Sequence, residues 1–247
     1  MLNQGFHHNL PRSVIFKWML LSVLSGSVNA GGFLAVSRFV THVTGFATLF
    51  GVDIVNGRIG EAFAILSVPV FFLMGAMLSS FFIDRRYQQK KTPRYGVVFG
   101  IVSFCLFAVA MLGTTNNFGV FGEALLLHRD YEMLALLCLA SGLQNAAITS
   151  ASGGVVRTTH LTGLTTDLGI GISRVLFPGD DERLNVRERK ALFLKAASIF
   201  SFVVGSVIGA YLFLHYKYLG FLFPSGIALY TVFQVVGFKN LRKKLRI

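Results

Sequence analysis

Two histidines stand in the same five-residue setting, Thr41-His42-Val43-Thr44-Gly45 and Thr159-His160-Leu161-Thr162-Gly163. Imidazole changes charge at about pH 6.5, so a pair of them suits a proton-coupled step. A metal site is the poorer reading, because no carboxylate or thiol falls at ligand spacing beside either histidine. The hydroxyls of Thr44 and Thr162 and the flexible backbone of Gly45 and Gly163 complete each setting. Asp167 follows Gly163 by four residues and Asp53 follows Gly45 by eight, so the two acids are not equivalent. Asp167 is the better candidate, either coupling protons or pairing with Arg157 or Arg174. Arg38 and Arg157 precede the two motifs. They attract an anion or, as we favour, snorkel to lipid headgroups.

Asn29, Gln144 and Asn145 lie well inside apolar stretches. Polar groups at such depth are costly and are candidates for function by default. Interhelical hydrogen bonding and substrate contact are both open for them. The candidate substrate-binding set is therefore Asn29, His42, Thr44, Gly45, Gln144, Asn145, His160, Thr162, Gly163 and Asp167. No Gly-x-Ser-x-Gly elbow, phosphate-binding loop or His-Glu-x-x-His occurs, so neither an enzyme nor a cofactor is expected.

What positions these residues is an apolar framework. The chain has 247 residues, of which 14% are charged, and a mean hydropathy of +0.64. Soluble domains carry charged residues at about 25%. Runs at 14–36, 62–82, 96–112, 134–149, 191–211 and 219–237 meet or approach the roughly 20 residues that cross a bilayer. Cys105 and Cys138 fall inside such runs and read as small buried hydrophobes. Arg12 and Lys17 before an apolar stretch resemble a signal peptide ending at Val28-Asn29-Ala30. We read a first transmembrane helix instead, because the apparent cleavage site recurs in mid-chain.

That recurrence is part of an internal repeat. Ser25-Gly26-Ser27-Val28-Asn29-Ala30 matches Ser141-Gly142-Leu143-Gln144-Asn145-Ala146, and the two histidine motifs follow in the same order. Thr48 and Gly51 match Thr166 and Gly169. Gly75-Ala76-Met77-Leu78-Ser79 then parallels Gly205-Ser206-Val207-Ile208-Gly209, both being small-xxx-small patterns that let membrane helices approach closely. We expect a first repeat over 14–113, a second over 131–237 and a basic tail at 238–247.

The net charge of +12 sits in clusters between apolar runs. Arg85, Arg86, Lys90, Lys91 and Arg94 form one cluster. Arg183, Arg187, Arg189, Lys190 and Lys195 form the second, and the tail is the third. Such clusters suit cytoplasmic loops facing anionic lipid, not nucleic acid. The short apolar stretches at 44–55 and 162–176 decide the topology. If both cross, two basic clusters fall on opposite sides; if both dip in and return, all three face the cytoplasm. The expected fold is an all-α integral membrane protein of six transmembrane helices plus two short re-entrant or broken segments. With three spans per half, the second copy is inverted, and the two short segments would meet near the midplane. Both termini would be cytoplasmic, in a bacterial inner membrane.

The Gly26–Ala30 stretch, the two Thr-His-x-Thr-Gly motifs, Gly142–Ala146 and Asp167 together resemble the bacterial YoaK family, also called DUF1275, over most of the chain. The resemblance implies a six-span, permease-like membrane protein without an assigned substrate. Relatives tend to carry an acid at the position of Asn29 and an asparagine at that of Phe46. The leading expectation is a secondary transporter for a small-molecule or ion substrate. A channel-like pore and a non-transporting membrane partner, including a homo-oligomer, are the alternatives.

Overall fold

The computed structural model describes residues 10–123, 128–177 and 182–244. The chain runs through α1 (Arg12–Val36), α2 (Val43–Val55), α3 (Ile59–Phe82), α4 (Asp84–Gln88), α5 (Tyr95–Thr114), α6 (His128–Ser152), α7 (Leu161–Leu176), α8 (Glu182–Tyr216), a 3-10 turn (Lys217–Phe221) and α9 (Leu222–Lys244). Five helical stretches among the described residues are long and apolar enough to cross a bilayer: Arg12–Val36, Ile59–Gln88, Tyr95–Thr114, Tyr131–Ser152 and Asn185–Val236. The last takes in most of α8 and of α9, with the 3-10 turn between them. Such apolar helices fit a membrane protein. The short stretches expected at 44–55 and 162–176 are α2 and α7.

Two long helix pairs organise the bundle. α1 lies on α8, and α3 lies on α6. Ser22 Oγ meets Ser198 Oγ at 2.8 Å and Ser206 Oγ donates to Gly26 O at 3.2 Å, so α1 and α8 advance in the same direction. A methyl group at Gly26 would overlap the Phe202 carbonyl, and one at Gly205 would overlap the Val23 carbonyl. The other pair repeats this arrangement. A methyl at Gly142 would overlap the Phe72 carbonyl and one at Gly75 the Leu139 carbonyl. Farther along, Ser150 Oγ donates to Asp84 Oδ2 at 3.1 Å, so α3 and α6 are also parallel. Each glycine motif thus packs against the helix carrying the other kind of motif from the opposite half. Without a hydrophobic drive between helices in lipid, such backbone-close contacts supply the dispersion that holds them.

α5 and α9 pair through a reciprocal clasp. Ser103 Oγ donates to Ser225 O and Ser225 Oγ to Ser103 O, both at 3.0 Å. α5 and α6 pack together, and α1 joins this centre through α6 and α9. The buried core holds Trp18, Phe99, Phe213, Phe221, Met133 and a shell of leucines, with both cysteines free and buried. The run expected at 219–237 opens as a 3-10 turn and continues as α9.

One expectation is corrected here. Much of the basic stretch after residue 178 is helix, because α8 already begins at Glu182. The sequence from Glu182 to Leu194 has strong helix formers and no glycine or proline to stop it. Arg174 Nη1 also bonds Glu188 Oε1 at 2.9 Å, which ties the segment to α7. Across the basic tail at 238–247, α9 continues to Lys244, and the last three residues lie outside the described ones.

Candidate functional site

α1 ends at Val36, and Ser37 adopts a left-handed conformation (φ 56°, ψ 32°) that reverses the chain. The five residues that follow, Arg38–His42, run back along α1. Val40 packs over Gly32, and Thr41 reaches Asn29, whose Oδ1 accepts from Thr41 Oγ1 at 3.1 Å and Thr41 N at 3.4 Å. His42 then starts α2. In the second half, Gly153 (φ 63°) and Gly154 (φ 84°) make the reversal. Ser152 Oγ accepts from Val156 N at 3.0 Å, and the chain returns along α6 until the His160 ring meets Phe72. Phe72 is the residue whose carbonyl faces Gly142. Both returns therefore descend about two helical turns before a new helix begins.

The two histidines have nearly the same backbone, φ −97° and ψ 68° at His42 against φ −100° and ψ 67° at His160. Each ring stands edge-on to a phenylalanine, Phe39 at 5.9 Å and Phe72 at 6.2 Å, both at 79°. Neither side chain caps its helix. One residue of each following turn is buried at the equivalent position, Phe46 in α2 and Leu164 in α7. The expectation that the two short helices meet is corrected: α2 packs on α3, and α7 packs on α8. Ion pairs hold both hairpins. Asp53 is buried against Arg58, which also lies 3.6 Å from Glu61. Asp167 lies 3.8 Å from Lys195, and Arg174 pairs with Glu188, so the expected partners Arg157 and Arg174 are not those of Asp167.

What connects the two motifs is α6. Cys138 Sγ donates to Val40 O at 3.1 Å, at the first return. Asn145, seven residues and about 10 Å farther along the same helix, stands where Asn29 stands in the first half. Between them, Gln144 is fully buried, and its Nε2 donates to Leu21 O at 2.6 Å and Ser25 Oγ at 2.8 Å. Both N–H groups of this amide are thereby committed to fastening α6 to α1. Of the candidates, Asn29 is half-buried and Asn145 buried. His42, Thr44, His160 and Thr162 are exposed on the single chain, and Gly45, Gly163 and Asp167 lie in between.

Thr41, Thr158 and Thr159 are the residues the candidate set missed. Thr41 makes the one clasp of the first half. In the second half Thr158 Oγ1, Thr159 Oγ1 and Asn145 Oδ1 are buried and meet no hydrogen-bond partner among the described residues. The signal was in the repeat itself, whose first motif residue is Thr41 in one copy and Thr159 in the other. Among the described residues no group of three or more histidines, cysteines and acids is placed to hold a metal.

No curated protein and no solved structure matches the chain. A family model described as a protein of unknown function (DUF1275) matches residues 18–234, which covers both returns, both histidine motifs and all or most of each long helix, and the chain belongs to that family.

Proposed function

We propose that the chain is a small secondary transporter, a permease of the bacterial inner membrane, moving a small solute or anion past its two Thr-His-x-Thr-Gly segments near the bilayer midplane. In this reading α1, α3, α5, α6, α8 and α9 span the membrane with both termini cytoplasmic. The two returns with α2 and α7 are re-entrant elements in inverted-topology repeats. Parallel pairing of α1 with α8, and of α3 with α6, agrees with that topology. α1 and α8 both start at basic stretches, and α3 runs into one.

The observation that carries the reading is the doubled return of the chain to mid-helix depth, with matching backbone at His42 and His160. Non-helical backbone at such depth is tolerated where protein buries it or a wet cavity faces it. Broken helices that begin there are how many carriers hold substrate and coupling ion.

The test is solute counterflow in proteoliposomes, using labelled small organic acids, amines, amino acids and inorganic anions, with and without a pH gradient. Saturable exchange that is lost in the double variant His42→Ala, His160→Ala supports a carrier. Flux that rises linearly with concentration makes the protein a pore. A folded protein that moves none of these solutes is a membrane partner and not a transporter.

A further inference from the structure

The two halves differ at one place where their sequences correspond. In the first, Asn29 and Thr41 close on each other. In the second, Asn145 and Thr159 hold the same positions but form no such bond, and Thr158 adds a third buried polar atom without a partner among the described residues. All three residues are more than nine-tenths buried, at 8%, 1% and 6% exposure for Asn145, Thr158 and Thr159. They share one depth. The return sits at Ser152 when it passes Val156 and at the level of Phe72 and Gly142 when it reaches His160. Thr158 and Thr159 lie between those levels, and so does Asn145.

We propose that Asn145, Thr158 and Thr159, with the N-terminus of α7, bind a small monovalent anion, a halide or a short carboxylate. This deepens the transporter reading and rests on it for the anion's purpose, though not for its binding. A polar group buried without a partner is destabilising, so a partner from outside the chain is favoured there. The charge of that partner follows from the surroundings. α7 starts at Leu161, and its first N–H groups have no acceptor within the helix, since His160 supplies no side-chain cap. They give this end a partial positive charge. Arg157, one residue before the two threonines, has no carboxylate partner among the described residues, and Asp167 is engaged with Lys195. The threonine hydroxyls can donate. The Asn145 amide, turned over, presents N–H groups to the same point. With the amide so turned, each of these groups can donate to a negative charge. The single helix end favours a single charge, and the depth of burial of the three side chains selects a small ion.

The test uses the full chain in detergent, with melting temperature read against sodium chloride, nitrate, formate and acetate at fixed ionic strength, and gluconate as the large reference anion. A saturable rise of about 3 °C or more at ten times the dissociation constant is expected for small monovalent anions, and none for gluconate. Thr158→Val with Thr159→Val should weaken apparent affinity at least about tenfold. Asn145→Asp should abolish it by charge repulsion, and provides the test if the double variant does not fold. Thr41→Val, in the clasped half, should leave the affinity unchanged. A shift that follows the cation when sodium is replaced by choline at constant anion overturns the proposal. So does a shift equal in the parent and in all variants, which would be a general salt effect. Anion binding without any counterflow leaves this site standing and removes the transporter. Counterflow that ignores these anions and these threonines removes the site and leaves the transporter.

Discussion

Replacing Gly26 by alanine tests the crosswise glycine contacts directly. The added methyl carbon would stand 2.9 Å from Ser206 N and closer to the Phe202 carbonyl oxygen. Carbon contacts are relaxed at about 3.5–4.0 Å, so α1 and α8 must part by more than about 1 Å. A gap of that size forfeits about half or more of each dispersion well along the seam. It also stretches the Ser206 to Gly26 and Ser22 to Ser198 bonds, now 3.2 Å and 2.8 Å. Overpacking typically costs about 1–3 kcal/mol, and weakened interhelical hydrogen bonds about 0.6 kcal/mol each. The sum is about 2–4 kcal/mol, or a fall of about 5–15 °C in melting temperature for a chain of this size. Gly142→Ala meets the Phe72 carbonyl in the same way and should lose a similar amount. Gly169→Ala has open space around it and should be neutral or slightly stabilising, since alanine is the better helix former. Thermal unfolding of the three purified variants in one detergent is the assay. Gly26→Ala and Gly142→Ala melting with Gly169→Ala would refute the close parallel packing of both pairs.

Gln144→Leu removes two buried bonds to α1 and is expected to destabilise by about 1–2 kcal/mol in the same melt. Gly153→Ala forces a side chain into a left-handed turn and should cost about 1–2 kcal/mol, whereas Ser37→Gly, at the equivalent reversal, should cost far less. A double-mutant cycle on Asp53→Asn and Arg58→Gln should return a coupling of about 0.5–1 kcal/mol that shrinks in high salt, because Arg58 is half exposed. For topology, Arg58→Cys in a background of Cys105→Ala and Cys138→Ala should react with an impermeant maleimide from outside intact spheroplasts. Arg94→Cys should react only after lysis, and the reverse pattern would invert the orientation.

The helical class, the presence of several long apolar helices and the family were legible in the residues, because burial in lipid demands apolar composition over a length that geometry sets. So were the repeat and its key positions: Gly26 and Gly142 fall at backbone-close contacts, and His42 and His160 each open a short helix. Sequence order also marked Gln144 as either glue or ligand. Which helix each glycine touches was beyond it, since the pattern shows that a helix face is small but not what approaches it. Charge pairing was equally hidden, because Asp167 has several basic residues near it in sequence and Lys195 reaches it only once α7 folds back on α8. Only tertiary structure decided that the two short helices lie on α3 and α8, not on each other. The same holds for the difference between halves. Asn29 and Asn145 are alike as letters, yet one is bonded to its threonine and the other is buried without a partner. That difference depends on a return loop whose path is set by Ser37 in one copy and by Gly153 and Gly154 in the other.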